Sequence, residues 1–414
     1  MRLLHTSDWH LGQSFMSKSR EREHRAFFTW LLTTIEQQSV DTLVVAGDIF
    51  DTATPPSYAR KLYLQLMVQL EQSTVSNVVF IGGNHDSVAV LHESRELLAC
   101  LNIHVVGGVL SSPEEQVITL SDRDQQPIGL LCAVPFIRPR DVLLAHSGES
   151  AEHKKQALMT AIAAHYESLF SVAQQRQAEW REQGVALPII ATGHLTVMGV
   201  QLSESVREIY IGSLEAFPAK LLPEADYIAL GHIHRAQKVA KTEHIRYSGS
   251  PIPLSFDELN AQKVVHLAAF DEDRLGSVVS LPIPCFQPMA ALSGDLQALQ
   301  TSIDALDLAD LVQGQNYWLE VEVCDEEYLA DLPQRLEQMI DGRAIEVLRT
   351  KRRRQFQPSL SASEGQSLNE LSVYEVFDRR LAEESLDDAL SGELKMLYRQ
   401  LVSELHDEQQ GETR

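Results

Sequence analysis

Five short polar clusters along the chain hold the residue types that bind metal ions and move protons. Asp8 and His10 stand two apart. Gly47-Asp48 is followed by Asp51. Gly83 precedes Asn84, His85 and Asp86, Gly193 precedes His194, and Gly231 precedes His232 and His234. Carboxylate, amide carbonyl and neutral imidazole together suit Mn, Fe or Zn better than Cu(I) or Ca. Seven of the nine candidates Asp8, His10, Asp48, Asp51, Asn84, His85, His194, His232 and His234 are enough ligands for two ions. Asp8-x-His10 and His232-x-His234 place alternate side chains on one side of an extended chain. The two oxygens of Asp48 can bridge two cations. The glycines remove side chains where backbone and metal must approach closely. Two divalent cations against the carboxylates of Asp8 and Asp48 leave a formal charge of about +2, which favours an anionic substrate such as a phosphodiester.

Each cluster ends a short apolar run: residues 3–7, 43–46, 78–81, 189–192 and 227–230. Such runs read as buried strands. Between them lie helical stretches. Residues 20–38 place Phe27, Leu31 and Ile35 four apart, and residues 58–70 are apolar on nearly every face. Alternating strand and helix predicts an α/β layered domain with its ligand site beyond the carboxyl ends of the strands. Residues 141–184 read as an acidic, Gln-rich helical insertion. Residues 244–248 and 264–270 read as late strands of the same domain.

The prolines at 282, 284 and 288 mark a boundary. This gives a first domain at 1–280. A small α+β module follows at 281–355, with strands at 318–323 and 344–349 around a helix at 329–340. It ends in the basic run Arg349, Lys351, Arg352, Arg353 and Arg354. With Arg138 and Arg140, this run is the best candidate for contact with a nucleic-acid backbone. The tail at 361–410 predicts two helices, the second striped by Leu390, Leu394, Leu397, Leu401 and Leu405. Leucine stripes without a core of their own predict a partner.

The chain of 414 residues carries a net charge of −23, so it cannot coat nucleic acid by bulk attraction and any cationic site must be local. Its four cysteines form no CxxC pair, which excludes a disulfide scaffold or a zinc ribbon and predicts a reducing cytoplasm. No apolar stretch suits a signal peptide or a membrane span. Ten of the fifteen histidines lie outside the clusters and read as structural or surface residues. No G-x-x-x-x-G-K-[ST] loop is present, so ATP dependence would require another subunit.

The ordered set D-x-H, G-D-x-x-D, G-N-H-D, G-H and G-H-x-H resembles the calcineurin-like metallophosphoesterase superfamily. Residues 4–12, 45–51, 229–234 and 247–256 resemble, more closely, its double-strand-break repair nucleases. That resemblance implies an α/β (α+β) fold: a two-sheet β-sandwich flanked by helices, a small capping domain and a helical tail. It implies one metal on Asp8, His10, Asp48 and His234 and a second on Asp48, Asn84, His194 and His232. The ions would be Mn²⁺, and His85 the catalytic histidine that is not a ligand. Apart from the resemblance, the Asp51 carboxylate is expected to orient His85 through its other ring nitrogen. The activity implied is two-metal hydrolysis of DNA, as a 3′→5′ exonuclease on duplexes and an endonuclease on single strands and hairpins. The partners implied are DNA, an SbcC-type ATPase of the structural-maintenance class bound through the 361–410 tail, and a second copy of this chain near residues 58–70. The same ligands would serve a phosphatase or cyclic-nucleotide phosphodiesterase. The basic run and the tail favour a polymer substrate. A non-catalytic scaffold would have no need of His85.

Overall fold

The computed structural model describes residues 1–143, 150–206, 216–324 and 331–352, together with isolated positions between 377 and 402. In chain order the strands are β1 (Arg2–Thr6), a small hairpin of β2 (Ser14–Phe15) and β3 (Lys18–Ser19), β4 (Thr42–Ala46), β5 (Asn77–Ile81), β6 (Ile103–Val106), β7 (Val117–Ser121), β8 (Pro127–Cys132) and β9 (Ile189–His194). Then come β10 (Tyr227–Gly231), β11 (Gln237–Lys238), β12 (Ile245–Tyr247), β13 (Val264–Asp271), β14 (Arg274–Pro282), β15 (Met289–Gly294), β16 (Tyr317–Val323) and β17 (Ile345–Arg352).

Two six-stranded sheets form the sandwich, in the orders β14-β13-β1-β4-β5-β6 and β11-β12-β10-β9-β8-β7. Within the first, β1, β4, β5 and β6 run parallel. Within the second, β8, β9, β10 and β12 do. Central strands such as β4, β5 and β10 are buried and mostly apolar because both faces are covered, whereas β14 at the edge is largely exposed. Along β4, Val44 faces the other sheet, while Leu43 and Val45 face the outer helices. Helices Glu21–Gln37 and Ser57–Glu71 cover the first sheet, burying Phe27, Leu31 and Ile35 from one and Leu62, Leu66 and Leu70 from the other. These match the helices expected at 20–38 and 58–70. The result is the α/β sandwich that the motifs implied.

One expectation is corrected. Within 141–184, the described helix is not an insertion. Helix Ala151–Glu182 is the outer layer of the second sheet, and Leu158, Ile162, Tyr166, Leu169 and Ala173 complete its core. The exposed Gln- and Glu-rich face masked a buried stripe with the same period.

The strands β15, β16 and β17 form a separate three-stranded sheet, with helices Leu296–Asp304 and Leu332–Ile340 in the same module. The basic run is part strand: Arg349 and Lys351 both pair with Glu320 of β16, leaving less free charge than a solvated loop would. Arg353 and Arg354 lie outside the described residues. Met1–Val323 and Ala330–Lys351 form one compact unit, and Cys324–Leu329 with Arg352–Arg414 another. Within the second unit the rings of Phe377 and Tyr398 stack at 3.9 Å, and Met396 and Leu397 are exposed. Most of the predicted tail helices lies outside the described residues. No described helix is long and apolar enough to cross a membrane.

Candidate metal centre

The carboxyl ends of β1, β4, β5, β9 and β10 deliver Asp8, Asp48, Asn84, His194 and His232 to one end of the sandwich, where the two sheets meet. Close approach makes this possible. A Cβ at Gly231 would lie 1.8 Å from the Ala46 carbonyl oxygen, one at Gly47 2.2 Å from His194 Nδ1, and one at Gly83 2.1 Å from Asp48 Oδ1. Asp8, His10, Asp48 and His232 hold φ values of +54°, +48°, +48° and +92°. Positive φ is costly for residues with a Cβ and concentrates at functional sites.

Asp48 sits at the middle. Its Oδ1 accepts the backbone N–H of His85 at 2.9 Å. Its Oδ2 lies 3.2 Å from His194 Nε2 and 3.6 Å from His10 Nε2. The remaining candidates gather around those two contacts. Asp8, His10 and His234 form one group of convergent donors, and Asp48, His194 and His232 another. Asn84 Oδ1 lies 3.0 Å from His194 Nε2 and 3.2 Å from His232 Nδ1. Asp8 is held by the His232 N–H on Oδ1 and by Ser7 Oγ on Oδ2.

The second nitrogen of each imidazole decides what the inner one can be. His194 Nδ1 faces the Ala46 carbonyl at 2.9 Å and must donate to it. In the neutral ring Nε2 is then a lone pair, yet it points at two further acceptors, Asp48 Oδ2 and Asn84 Oδ1. His10 Nδ1 donates to Asp51 Oδ1 at 3.1 Å. His234 Nδ1 lies 2.5 Å from Ser205 Oγ, and that hydroxyl donates in turn to Glu258. The Nε2 atoms of His10 and His234 therefore face each other at 3.2 Å as two lone pairs. His232 Nε2 is buried without a partner. Converging lone pairs in a dry interior require cations, so the donor set fits two divalent ions.

The protonation equilibria of these side chains agree. Burial disfavours a charged His194, but the Asp48 carboxylate outweighs it and lifts the ring to about 9. Burial would raise Asp48, but His194 and His10 hold it well below the usual carboxylate range. Positive charge belongs between these groups. Burial and His194 keep His232 neutral, the form in which an imidazole can hold a metal.

Asp51 holds His85 through its backbone carbonyl. His85 Nδ1 lies 2.6 Å from the backbone carbonyl of Asp51, while the Asp51 carboxylate takes His10. The Asp51 carboxylate stays close by, since Asp51, His10 and His85 form one group of converging ligand atoms. His85 stands edge-on to His10, with ring centroids 4.7 Å apart. His85 and Asn84 are half-exposed, whereas Asp8, His10, Asp48, His194, His232 and His234 are buried. The open side of the centre therefore carries His85.

Residues 1–236 match the calcineurin-like phosphoesterase family, and residues 285–385 match the type 5 capsule protein repressor C-terminal domain. The chain is 47% identical over 399 residues to the SbcD subunit of the nuclease SbcCD from Escherichia coli K12, covering 96% of this chain and 97% of that protein. It is 32% identical over 333 residues to the SbcD subunit from Rhodobacter capsulatus, covering 77% and 79%, and 28% identical over 326 residues to that of Bacillus subtilis, covering 78% and 79%. The chain belongs to the SbcD family of calcineurin-like phosphoesterases. It is accordingly a metal-dependent hydrolase of phosphate esters, with divalent ions as cofactors.

Two supports of this SbcD-family centre escaped the sequence reading. Buried Asp86 accepts the N–H groups of Ile49, Phe50 and Gly83, tying the Asp48 turn to the His85 turn. Burial and Asp48 raise its carboxyl to about 6. The fourth letter of Gly-Asn-His-Asp carried that signal. Glu258, 1% exposed, pairs with Lys263 beneath His234. Removing one member of such a buried pair costs ~3–5 kcal/mol. No spacing rule connects Glu258 to the clusters.

Asp51→Ala removes the acceptor that orients His10. We expect it to weaken divalent-metal retention ~10-fold or more, measured by chelator competition, as loss of a ligand's outer partner does. Unchanged retention would mean that the Asp51–His10 contact does not tune the site.

Proposed function

We propose that this chain is the dimetal DNA nuclease subunit of a complex with an SbcC-type ATPase. It hydrolyses DNA phosphodiesters in DNA end processing, replication and recombination. The observation that carries this reading is Asp48 Oδ2, placed between the inner nitrogens of His10 and His194. DNA as substrate rests on the relatives, each named as the SbcD part of the nuclease SbcCD. In this reading Asp8, His10, Asp48 and His234 hold one ion, and Asp48, Asn84, His194 and His232 the other, with Mn²⁺ as the native metal.

When bound, two divalent ions polarise the phosphodiester and lower the pKa of water beside it. The chain's own residues do the rest. Asp48 holds the two sides of the centre at a fixed spacing. Ala46, Asp51 and Ser205 fix the tautomers of His194, His10 and His234, so that lone pairs point inward. With Nδ1 on the Asp51 carbonyl, His85 presents Nε2 on the open side, where it holds or delivers the proton needed by the leaving oxygen.

The division into a nuclease domain at 1–280, a cap at 281–355 and an SbcC-binding tail at 361–410 belongs to the same proposal, as do a cytoplasmic location and 3′→5′ polarity. Exposed Met396 and Leu397 support a docking role for the tail. Exposed Leu64 and Val68, on helix Ser57–Glu71, support a homodimer across that helix.

The deciding assay is cleavage of an end-labelled hairpin duplex with Mn²⁺, with and without the ATPase and ATP. Wild type should open the hairpin and degrade the duplex from 3′ ends. His85→Gln should lose ~10²–10⁴-fold in rate while keeping its metal. If wild type hydrolyses only small phosphodiesters, the substrate is not DNA. Deleting 361–414 should spare Mn²⁺-dependent cleavage and abolish co-purification with the ATPase; retained co-purification removes the tail from the interface. Light scattering at micromolar concentration should give a dimer, and a monomer refutes the Ser57–Glu71 contact.

A further inference from the structure

The three-stranded sheet touches the segments that hold one metal-facing histidine. Each of its strands gives one side chain to a small core around Phe256: Met289 from β15 and Trp318 from β16 are buried there, and Leu348 from β17 packs against them. Phe15 completes it, edge-on to Phe256 with centroids 5.1 Å apart and stacked on Trp318 at 5.9 Å. Buried Arg20 lies over both the Phe15 and Trp318 rings and donates to the Pro253 carbonyl at 2.8 Å. From β17, the Arg349 guanidinium lies over the Phe256 ring at 5.7 Å.

Two residues beyond Phe256, in the same short turn, is Glu258. Both of its oxygens are fully used. Oε2 takes Lys263 Nζ at 2.5 Å, the Leu254 N–H at 3.1 Å and Ser250 Oγ at 3.2 Å. Oε1 takes Ser203 Oγ at 3.0 Å and Ser205 Oγ, and lies 3.4 Å from His234 Nδ1. Lys263 also donates to the His234 carbonyl at 3.0 Å. The side chain and backbone of His234 are thus both held by this one pair. A second route runs beside the first. Arg349 reaches Glu204 at 3.9 Å, between the two serines, and the Glu204 N–H donates to Asp257 at 3.1 Å.

We propose that Glu258 is a positioning residue for His234, and that the β15–β16–β17 sheet sets metal affinity through it by way of Phe256 and Arg349. This rests on the dimetal reading above and adds regulation to it. A rigid turn cannot move its Phe256 end without its Glu258 end, and Glu258 has no spare hydrogen-bonding capacity to absorb the shift. A partner that tilts the sheet therefore loosens or tightens His234 without touching it.

The test measures Mn²⁺ binding directly, by calorimetry and by the paramagnetic signal of bound Mn²⁺, on the full chain. Glu258→Gln should raise the Mn²⁺ dissociation constant ~10-fold or more. Glu258→Asp, which keeps the charge, should recover part of the loss. Trp318→Leu and Arg349→Met, both in the three-stranded sheet, should shift it in the same direction by on the order of threefold. Each should add less in combination with Glu258→Gln than alone. Arg335→Met, which breaks an exposed ion pair of the same module, should change nothing. If Trp318→Leu and Arg349→Met fold but leave Mn²⁺ binding unaltered, or simply add to Glu258→Gln, the coupling is wrong. If Trp318→Leu does not fold, Arg349→Met alone decides. Because binding is read without substrate, a chain that binds Mn²⁺ in this pattern yet leaves DNA uncut would overturn the nuclease reading and not the coupling.

Discussion

The structure turns on a carboxylate oxygen aimed at lone pairs. Asp48 Oδ2, the inner nitrogens of His10, His194 and His234, and the amide oxygen of Asn84 are linked by successive separations of 3.0–3.6 Å. Without cations such a set repels itself in a medium of low dielectric. The fold holds it together by fixing the opposite end of each side chain. The Ala46 carbonyl, the Asp51 carboxylate and the Ser205 hydroxyl leave these three imidazoles only one way to point. The four positive φ values are a further cost of the same arrangement, offset by packing elsewhere.

That constraint explains the sandwich. Ligands from both sheets must meet at the end where parallel strands stop, so the sheets must approach more closely there than two layers of side chains permit. Glycine at 47, 83 and 231 supplies the missing space, and at each a methyl group would strike a ligand or the backbone carrying one. The interior between the sheets mixes small and β-branched residues such as Ala46, Val44, Ala229 and Ala268 with larger ones such as Leu3, Leu131, Tyr227 and Phe270. The outer helices then cover the opposite faces, which is why every central strand reads as a continuous apolar run.

The candidate ligands and their strands were legible because chemistry and local pattern coincide: each cluster is short, contiguous and ends an apolar run. Helix Ala151–Glu182 was legible as a helix but not as a layer, since its polar face dominates its composition. Residue spacing named Asp51 as the neighbour of His85 but not the atoms: the backbone carbonyl takes His85 Nδ1, and the carboxylate takes His10. Glu258 and Asp86 were out of reach in a different sense. Their importance lies in what they accept from residues far along the chain, and no periodicity encodes that. The sequence thus reveals groups that touch the reacting centre more readily than groups that hold it still.

The same distinction applies to charge. A chain of net charge −23 gains nothing from long-range attraction to a polyanion. Part of the basic run is used internally, since Glu320 takes both Arg349 and Lys351. Arg138 is likewise engaged, donating to the Asp86 carbonyl at 2.9 Å and lying over the Phe136 ring. Arg140, with its side chain 79% exposed, keeps more freedom. The strongest attraction for a phosphate therefore lies at the metal centre itself, where field lines are focused by buried walls and little screened by salt. Among the described residues such a surface offers nucleic acid little to coat, and in the proposed reading a phosphodiester is met at the open side beside His85. Under the proposed nuclease reading, delivery of the polymer to that point is then the work of another surface.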